Sequence, residues 1–452
     1  MHKPYKTPVV RAFPNIKVNE PRISKFVIFL CRLLGRLYLF IFLGVAKMVL
    51  QGEQRLFTAF KRALAGESRC IIAFRHPNGG EPQLLTWFFL FKLKKLAARH
   101  GVKFVRWPHA VFVYGYEVTR WGGWVARFIM PNVGAMPIHH SKMDTIGMAR
   151  IYKAIVNGPY PLALAPEGQV SYTTDSIPRL EPGVIRIGFN AADRLAETGS
   201  DCPVEVLPVS VHFRFGSWGK LTLELLLRKI EKCCGFPREK EIHLVERLRR
   251  CRDHILEANE ERYKIVKEDS DSFEMRLERV TNAALETSER MLGIKGEGDF
   301  FARMYKVRQL CWDRIFLPDV DNFEPMTKIK QNVLNLMAGE AWYISRHMEL
   351  VDFGWYFRVQ IPAEDTVFHK KIEYTQNLWD FASRTMGGAF KDRVSIFPRK
   401  VIIQAGPVIN LSERLSDYKK DKKAVIEKSM ADLEKAYLDC IVEANNLQQG
   451  HF

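Results

Sequence analysis

The sequence predicts an α/β protein: a mostly parallel, mixed sheet with flanking helices, preceded by interfacial amino-terminal helices and joined to a large helical region. Three observations carry this. Short apolar runs alternate with helical patterns from residue 68 to residue 211. A charged, helically patterned stretch then runs from about 229 to 395, before an apolar strand returns at 400–403 (KVII). The first fifty residues combine basic and strongly apolar character. Strand–helix alternation implies parallel pairing, because each crossover supplies a helix that covers the sheet.

The elements follow in order. Residues 70–74 (CIIAF) form a short apolar strand. A helix spans 84–98, with Gly101 placed to stop it, and 102–105 is a second strand. A helix covers 144–156, with Gly158 after it, and 161–165 (PLALA) is a strand. A helix over 183–197 and a strand over 204–211 (VEVLPVSV) complete this part. Ligands of such sheets gather at the carboxyl ends of strands. Beyond 229, Leu244, Leu248, Cys251 and Ile255 stand at helical spacing, and a last amphipathic helix carries Ile426, Met430, Leu433 and Tyr437 on one face.

Composition narrows the class. With 47% apolar and 26% charged residues, the chain of 452 is globular and long enough for one large or two ordinary domains. Its formal charge of +17 points to an anionic partner: nucleic acid, anionic lipid, or a phosphorylated or CoA-linked substrate. Nine of the Lys and Arg residues, against one Glu, lie in residues 1–50, beside the most apolar stretch. No zinc-finger spacing and no ribonucleoprotein-type signature accompanies them, so nucleic acid is not the expected partner. Eight cysteines without a C-x-x-C pair indicate reduced thiols rather than a disulfide framework.

The segment 24–50 is too broken to span a bilayer. A spanning helix needs roughly twenty apolar residues, and the longest uncharged run here is the ten residues 37–46. Its flanks do not resemble a signal peptide either. Wound as a helix, Lys25, Arg32, Arg36 and Lys47 fall within an arc of roughly 60°. Phe26, Phe29, Leu30, Leu33, Leu37, Phe40 and Ile41 fill the rest. A narrow cationic stripe beside a broad apolar face suits one helix, or two in succession, lying in the bilayer interface. The alternatives are a helix packed on the protein's own core and a tilted, snorkelling span.

Four blocks carry the chemistry. Residues 74–81 (FRHPNGGE) follow a strand and precede a helix. A carboxylate from Glu81 against one imidazole nitrogen of His76 would fix the tautomer and leave the other nitrogen to take a proton from a hydroxyl. The two glycines between them let the loop fold back. Residues 164–171 (LAPEGQVS) place Glu167 at a strand end, where Gly168 permits a sharp turn and the carboxylate can bind hydroxyls of an acceptor. Pro208, inside 206–211 (VLPVSV), marks an edge, a bulge or a site. Between the first two blocks lies 134–140 (GAMPIHH). Taken singly, His76 also reads as an ordinary hydrogen-bonded residue and Glu167 as a plain strand-to-turn carboxylate.

Their order resembles the glycerolipid acyltransferase family, which includes the lysophosphatidate acyltransferases. The family's H-x-x-x-x-D, G-x-x-x-I-D-R, F-P-E-G-T-R and V-P-V blocks correspond to H-P-N-G-G-E, G-A-M-P-I-H-H, A-P-E-G-Q-V and V-L-P-V here. Leu180-Glu181-Pro182-Gly183 and the later Ala405-Gly406-Pro407-Val408-Ile409 extend the likeness, which covers roughly residues 50–228 and the closing strand. The resemblance implies His76 as general base, Glu81 as its carboxylate, and Glu167 with Gly168 as acceptor-binding. It implies acyl-CoA or acyl-carrier protein as co-substrate, with no metal and no other cofactor. The implied fold is glycerolipid acyltransferase-like.

On this reading residues 1–52 form a basic amphipathic membrane-associating segment and 53–228 the acyltransferase domain. Residues 229–395 are a helical insertion or subdomain whose protein partner is unknown, and 396–452 supply the closing strand and carboxyl-terminal helix. The expected setting is peripheral or monotopic, on the cytoplasmic face of a membrane, with membrane lipids as partners.

Three residues depart from the family pattern. Glu81 replaces Asp and is one methylene longer. His140 and Val170 stand where the family carries arginines associated with the acceptor's phosphate. His140, Lys142 and Arg179 are then the candidates to hold that phosphate; otherwise the acceptor is a non-phosphorylated lipid alcohol, or the chain is an inactive membrane scaffold. His139/Asp144 and His347/Asp352 share the spacing of His76/Glu81 and are rival boxes.

Overall fold

The computed structural model describes residues 10–446 except 16, 18, 140–143, 217, 238–240, 269–270 and 359. The chain forms two compact units, one from residues 18–216 and 398–452, the other from 1–17 and 217–397.

The first unit is α/β. In chain order its elements are α1 (Lys25–Ile41), β1 (Val45–Gln51), α2 (Glu53–Ala65), β2 (Arg69–Phe74), α3 (Glu81–Phe88) and α4 (Lys94–Arg99). Next come β3 (Val111–Gly115), α5 (Val118–Trp121), α6 (Gly123–Asn132), β4 (Met136–Ile138), α7 (Thr145–Asn157), β5 (Leu162–Leu164), α8 (Gly183–Glu197) and β6 (Val204–Phe215). The second unit supplies α9 (Trp218–Cys233), α10 (Leu244–Tyr263), α11 (Phe273–Leu292), α12 (Phe300–Ile315), α13 (Lys328–Tyr356) and α14 (Phe368–Thr385). The chain then returns with β7 (Arg399–Ala405), β8 (Ile409–Asn410), α15 (Leu415–Lys420) and α16 (Lys422–Asn446).

The eight strands form one mixed sheet in the order β1-β7-β6-β2-β5-β3-β4, with β8 also on β6. Pairing is parallel except where β6 meets β7 and β8. Strand β2 shows why both faces are covered. Ile72 and Phe74 point into a core built with α1, α2 and α3, whereas Ile71 and Ala73 point into one built with α7, α8 and α16.

Pro208 sits inside β6, a central strand. It is tolerated because β6 changes partner there: Glu205 and Val206 pair with β8, and Val209 onward with β7. The missing N–H falls at the changeover, while the Pro208 carbonyl accepts from the Gly406 N–H at 2.9 Å.

Three expectations change. The amino-terminal segment is one helix followed by an edge strand, not two helices. Gly44 turns the chain at φ 63° after α1, and β1 then pairs with β7, so Lys47 belongs to the sheet rather than to the cationic arc of α1. Residues 102–105 are not a strand: Val102 and Phe104 lean on the core from a loop pinned by Trp107, whose indole N–H donates to the Leu90 carbonyl at 2.6 Å. The helix expected over 84–98 begins at Glu81 and passes through a π-helical turn at Phe89–Leu93.

In the helical unit, α11 and α13 approach closely where Gly354 meets Thr281; a Cβ on Gly354 would lie 2.2 Å from the Thr281 methyl. Arg276–Glu260 and Arg303–Glu289 ion pairs, at 2.6 Å each, tie α10 to α11 and α11 to α12. The unit begins with α9 at Trp218, eleven residues before the expected boundary near 229. Phe13 joins it, its ring stacking on Phe316 at 5.3 Å.

Candidate functional site

Strands β2, β5, β3 and β4 run parallel, so their carboxyl ends share one edge of the sheet. The loop after β2 carries His76 and the loop after β5 carries Glu167. Glu81 opens α3, where a carboxylate favours the positive end of the helix. Its side chain turns back over the loop. One oxygen lies 2.6 Å from His76 Nδ1 and also accepts the Gly79 N–H at 2.9 Å. Gly79 makes this possible with φ at 98°, a region that side chains with a Cβ rarely enter. The extra methylene of glutamate therefore closes the pair without loss of contact.

Glu81 is buried and ionisable, so in the neutral ring its carboxylate favours the tautomer with the proton on Nδ1 and Nε2 unprotonated. Nε2 has no partner among the described residues, and the His76 side chain keeps 17% of its surface open. Burial presses the imidazolium down. The Glu81 hydrogen bond and the charges of Glu81 and Glu167 outweigh it, so the His76 pKa lies above its ordinary value.

Both carboxylate oxygens of Glu167 are bound by protein groups. One of its oxygens accepts Arg75 Nε at 2.6 Å and the Ser171 hydroxyl at 3.3 Å. The other accepts the backbone N–H of His76. The side chain is fully buried. With both oxygens engaged in this way, Glu167 holds the loop that carries His76. Gly168 takes φ 71° and makes the expected turn. The 180–183 block closes onto it, with the Glu181 N–H donating to the Pro166 carbonyl at 2.6 Å.

Arg75, which sequence reasoning passed over, organises the next loop. Its guanidinium donates to the carbonyls of Thr173, Thr174 and Ser176 at 3.0, 3.2 and 2.8 Å. The Ser171 N–H donates to the His76 carbonyl at 3.0 Å, so the His76 backbone is clamped on both sides by 167–171. Tyr172 is held at φ 57°, uncommon for an aromatic residue and a form of strain that collects at functional sites. Tyr437 of α16 reaches under the strand to donate to the Ala73 carbonyl at 2.9 Å. The signal available for Arg75 was a charged residue at the inner end of an apolar strand, which burial allows only with partners.

The other candidates separate clearly. His140 and Lys142 lie outside the described residues. Arg179 is exposed on the loop before α8. In the first rival box, Asp144 caps α7 through the Gly147 N–H at 2.8 Å and accepts the His139 N–H at 3.0 Å. Its carboxylate serves backbone groups, while the His139 ring stacks on Tyr116. In the second, His347 Nδ1 meets the Tyr263 hydroxyl at 2.8 Å, and Asp352 pairs with Arg308. Among the described residues, no three His, Cys, Asp or Glu side chains converge as a metal site. A cleft of about 920 Å³ opens near the amino end of β6, lined by residues including Arg55, Arg62, Glu205 and Arg414. It is at the opposite end of the strands from His76.

The site is a His–carboxylate pair on the rim of a mostly parallel α/β sheet. The chain matches no protein-family model, and no curated protein matches it in sequence.

Proposed function

We propose that this chain is an O-acyltransferase that moves a fatty acyl group from acyl-CoA or acyl-carrier protein to the hydroxyl of a membrane lyso-lipid. The observation that carries the reading is the 2.6 Å contact of His76 Nδ1 with buried Glu81, which leaves Nε2 open on the carboxyl edge of the sheet.

The chemistry follows from that pair. Nε2 accepts the proton of the acceptor hydroxyl as its oxygen attacks the thioester carbon. The imidazolium so formed is stabilised by Glu81 and Glu167. The tetrahedral adduct collapses, the carbon–sulfur bond breaks, and the thiolate leaves with the proton that His76 held. Atoms balance as one ester and one thiol.

The acceptor would enter from a bilayer at the cytoplasmic face. Among the described residues no helix is long and apolar enough to cross a membrane. Helix α1 instead buries Val27 and Leu39 and leaves Phe26, Phe29, Leu33, Leu37, Phe40 and Ile41 exposed. This suits a helix lying in the interface.

A second reading concerns the acceptor alone. Val170, where the family carries an arginine, sits against the dyad loop: a Cβ on Gly79 would lie 3.6 Å from its methyl. An apolar group at this place favours a lipid alcohol without a phosphate there.

Thiol release from long-chain acyl-CoA and acyl-carrier protein, with a panel of phosphorylated and neutral lyso-lipids, tests the reading. Wild type should acylate at least one acceptor and His76→Ala should fall to background. A wild type that acylates none removes the proposal, and full activity in His76→Ala removes the base. Flotation with vesicles tests the membrane part: Phe29→Ser/Leu33→Ser/Phe40→Ser should leave the lipid fraction, without disturbing β1 as a deletion of residues 1–50 would.

A further inference from the structure

Helices α5 and α6 take no part in the site, and each leaves large apolar side chains outside the core. Trp124 is 76% exposed and Trp121 53%, with Val125 and Phe128 also open to solvent. Ile129 and Met130, on the other side of α6, pack onto the core that receives Val27 and Leu39 of α1. The outward faces of α1 and α6 therefore belong to the same side of the sheet. Their ends are tied together. The Ser24 N–H donates to the Asn132 carbonyl at 2.8 Å, the Arg22 N–H to the Pro131 carbonyl at 2.7 Å, and Ile23 bridges Val133.

We propose that α5–α6 is a second bilayer-contacting element, which docks with α1 on an interface containing anionic headgroups. The inference rests on reading α1 as an interfacial helix. Three features select lipid as the occupant. Residues 24–52 and 118–132 hold no Asp or Glu, but contain Lys25, Arg32, Arg36, Lys47, Arg120 and Arg127. The exposed residues of α6 include tryptophan, whose ring has an apolar body and a polar N–H and settles at the headgroup level. Lys25, Arg32 and Arg127 are exposed beside the apolar residues, as snorkelling cations would be. A membrane interface accepts all three features at once.

The second contact has a consequence for orientation. A single helix in the interface leaves a protein free to roll about that helix. Two contacts fix the roll. Helix α5 follows the carboxyl end of β3, the edge that also carries the loop of His76. Contact at Trp121 and Trp124 holds that edge toward the lipid, where an acceptor hydroxyl lies.

The test uses the full chain and vesicles of phosphatidylcholine, with and without one-third phosphatidylglycerol. Trp124→Ser/Phe128→Ser should lower the partition coefficient about tenfold or more, in line with the apolar area withdrawn from lipid. Ile146→Ser is the control, an exposed residue on α7 on the other face of the sheet, and should bind as wild type. Turnover of detergent-dispersed acceptor should be unchanged in both, which separates this inference from the acyltransferase reading. Should Trp124→Ser/Phe128→Ser fold poorly, Trp121→Phe/Trp124→Phe keeps the packing. Quenching by bromine-labelled lipid should then fall below that of wild type. Wild-type partition by the α6 variant, alongside loss of binding in the α1 variant, overturns the inference and leaves α1 standing. Self-association of wild type without lipid, abolished by Trp124→Ser/Phe128→Ser, also overturns it, because the occupant is then a second copy.

Discussion

The backbone N–H of His76 donates to the carboxylate of Glu167. Two loops that are 91 residues apart in sequence thus meet at His76 itself. Glu167 is in turn neutralised by Arg75, and Arg75 fastens the 173–176 loop. The site is a stack in which each layer holds the one above: Arg75 holds Glu167, Glu167 holds the His76 backbone, and Glu81 holds the His76 ring.

The first prediction concerns pH. If His76 is the general base of the proposed transfer, it must be neutral to accept a proton; its pKa is raised, so the rate should fall as pH drops through that raised value. Glu81→Gln removes a charge and a charged hydrogen bond. The acidic limb of the pH–rate profile should then move to lower pH, while the plateau rate drops about 10²-fold or more. An unmoved limb would separate Glu81 from the base.

The second concerns the buried pair. The side chains of Arg75 and Glu167 are 1% and 0% exposed. Glu167→Gln leaves the guanidinium uncompensated in the core and should cost about 3–5 kcal/mol by urea denaturation. Unchanged stability would show that the pair does not hold the loop.

The third concerns the seat of the dyad loop against the turn after α1. A Cβ on Gly80 would lie 2.9 and 3.1 Å from the two methyls of Leu43. Gly80→Ala should therefore push Glu81 from His76, lowering kcat and the apparent pKa of the base together. Its overpacking should cost about 1–3 kcal/mol. Leu43→Ala makes room, and the double variant should recover much of both readouts. Failure of that rescue would place the defect elsewhere.

The fourth is acid sensitivity. His109 is buried, and burial pushes its pKa down to about 4, although its bond to the Val133 carbonyl opposes this. The unfolded chain takes up this proton near pH 6.5 and the folded chain only near 4. Stability is therefore fully present above about pH 6.5 and lost as pH falls toward 4, by about 3 kcal/mol for this group. His109→Gln should flatten that part of the stability–pH curve, read from urea midpoints. A curve that keeps the wild-type slope would reject the assignment.

Part of the sheet was legible in the sequence because burial on both faces leaves short unbroken apolar runs, whereas β1, β3 and β4 were not read as strands. Residues 70–74, 161–165 and 400–403 each overlap a strand, and the helix over 183–197 has the observed bounds. The His76–Glu81 contact was legible too, because both partners lie in one loop and the intervening glycines leave few ways for it to close. Residues 102–105 have the same apolar look as a strand, but whether such a run pairs or only leans on the core depends on which backbone reaches it.

By itself the sequence determined the strand–helix alternation, the local dyad and the one-sided character of α1, all consequences of residue spacing along a continuous segment. Tertiary structure alone decided what Glu167 and Arg75 do, that Lys47 belongs to an edge strand, and that α6 shares a side with α1. Those facts depend on contacts between distant segments, and a carboxylate at a strand end looks the same in sequence whether it faces a substrate or a buried arginine. Only the packing of β2 against β5 brings Arg75 and Glu167 within 2.6 Å, and desolvation at that distance commits them to each other.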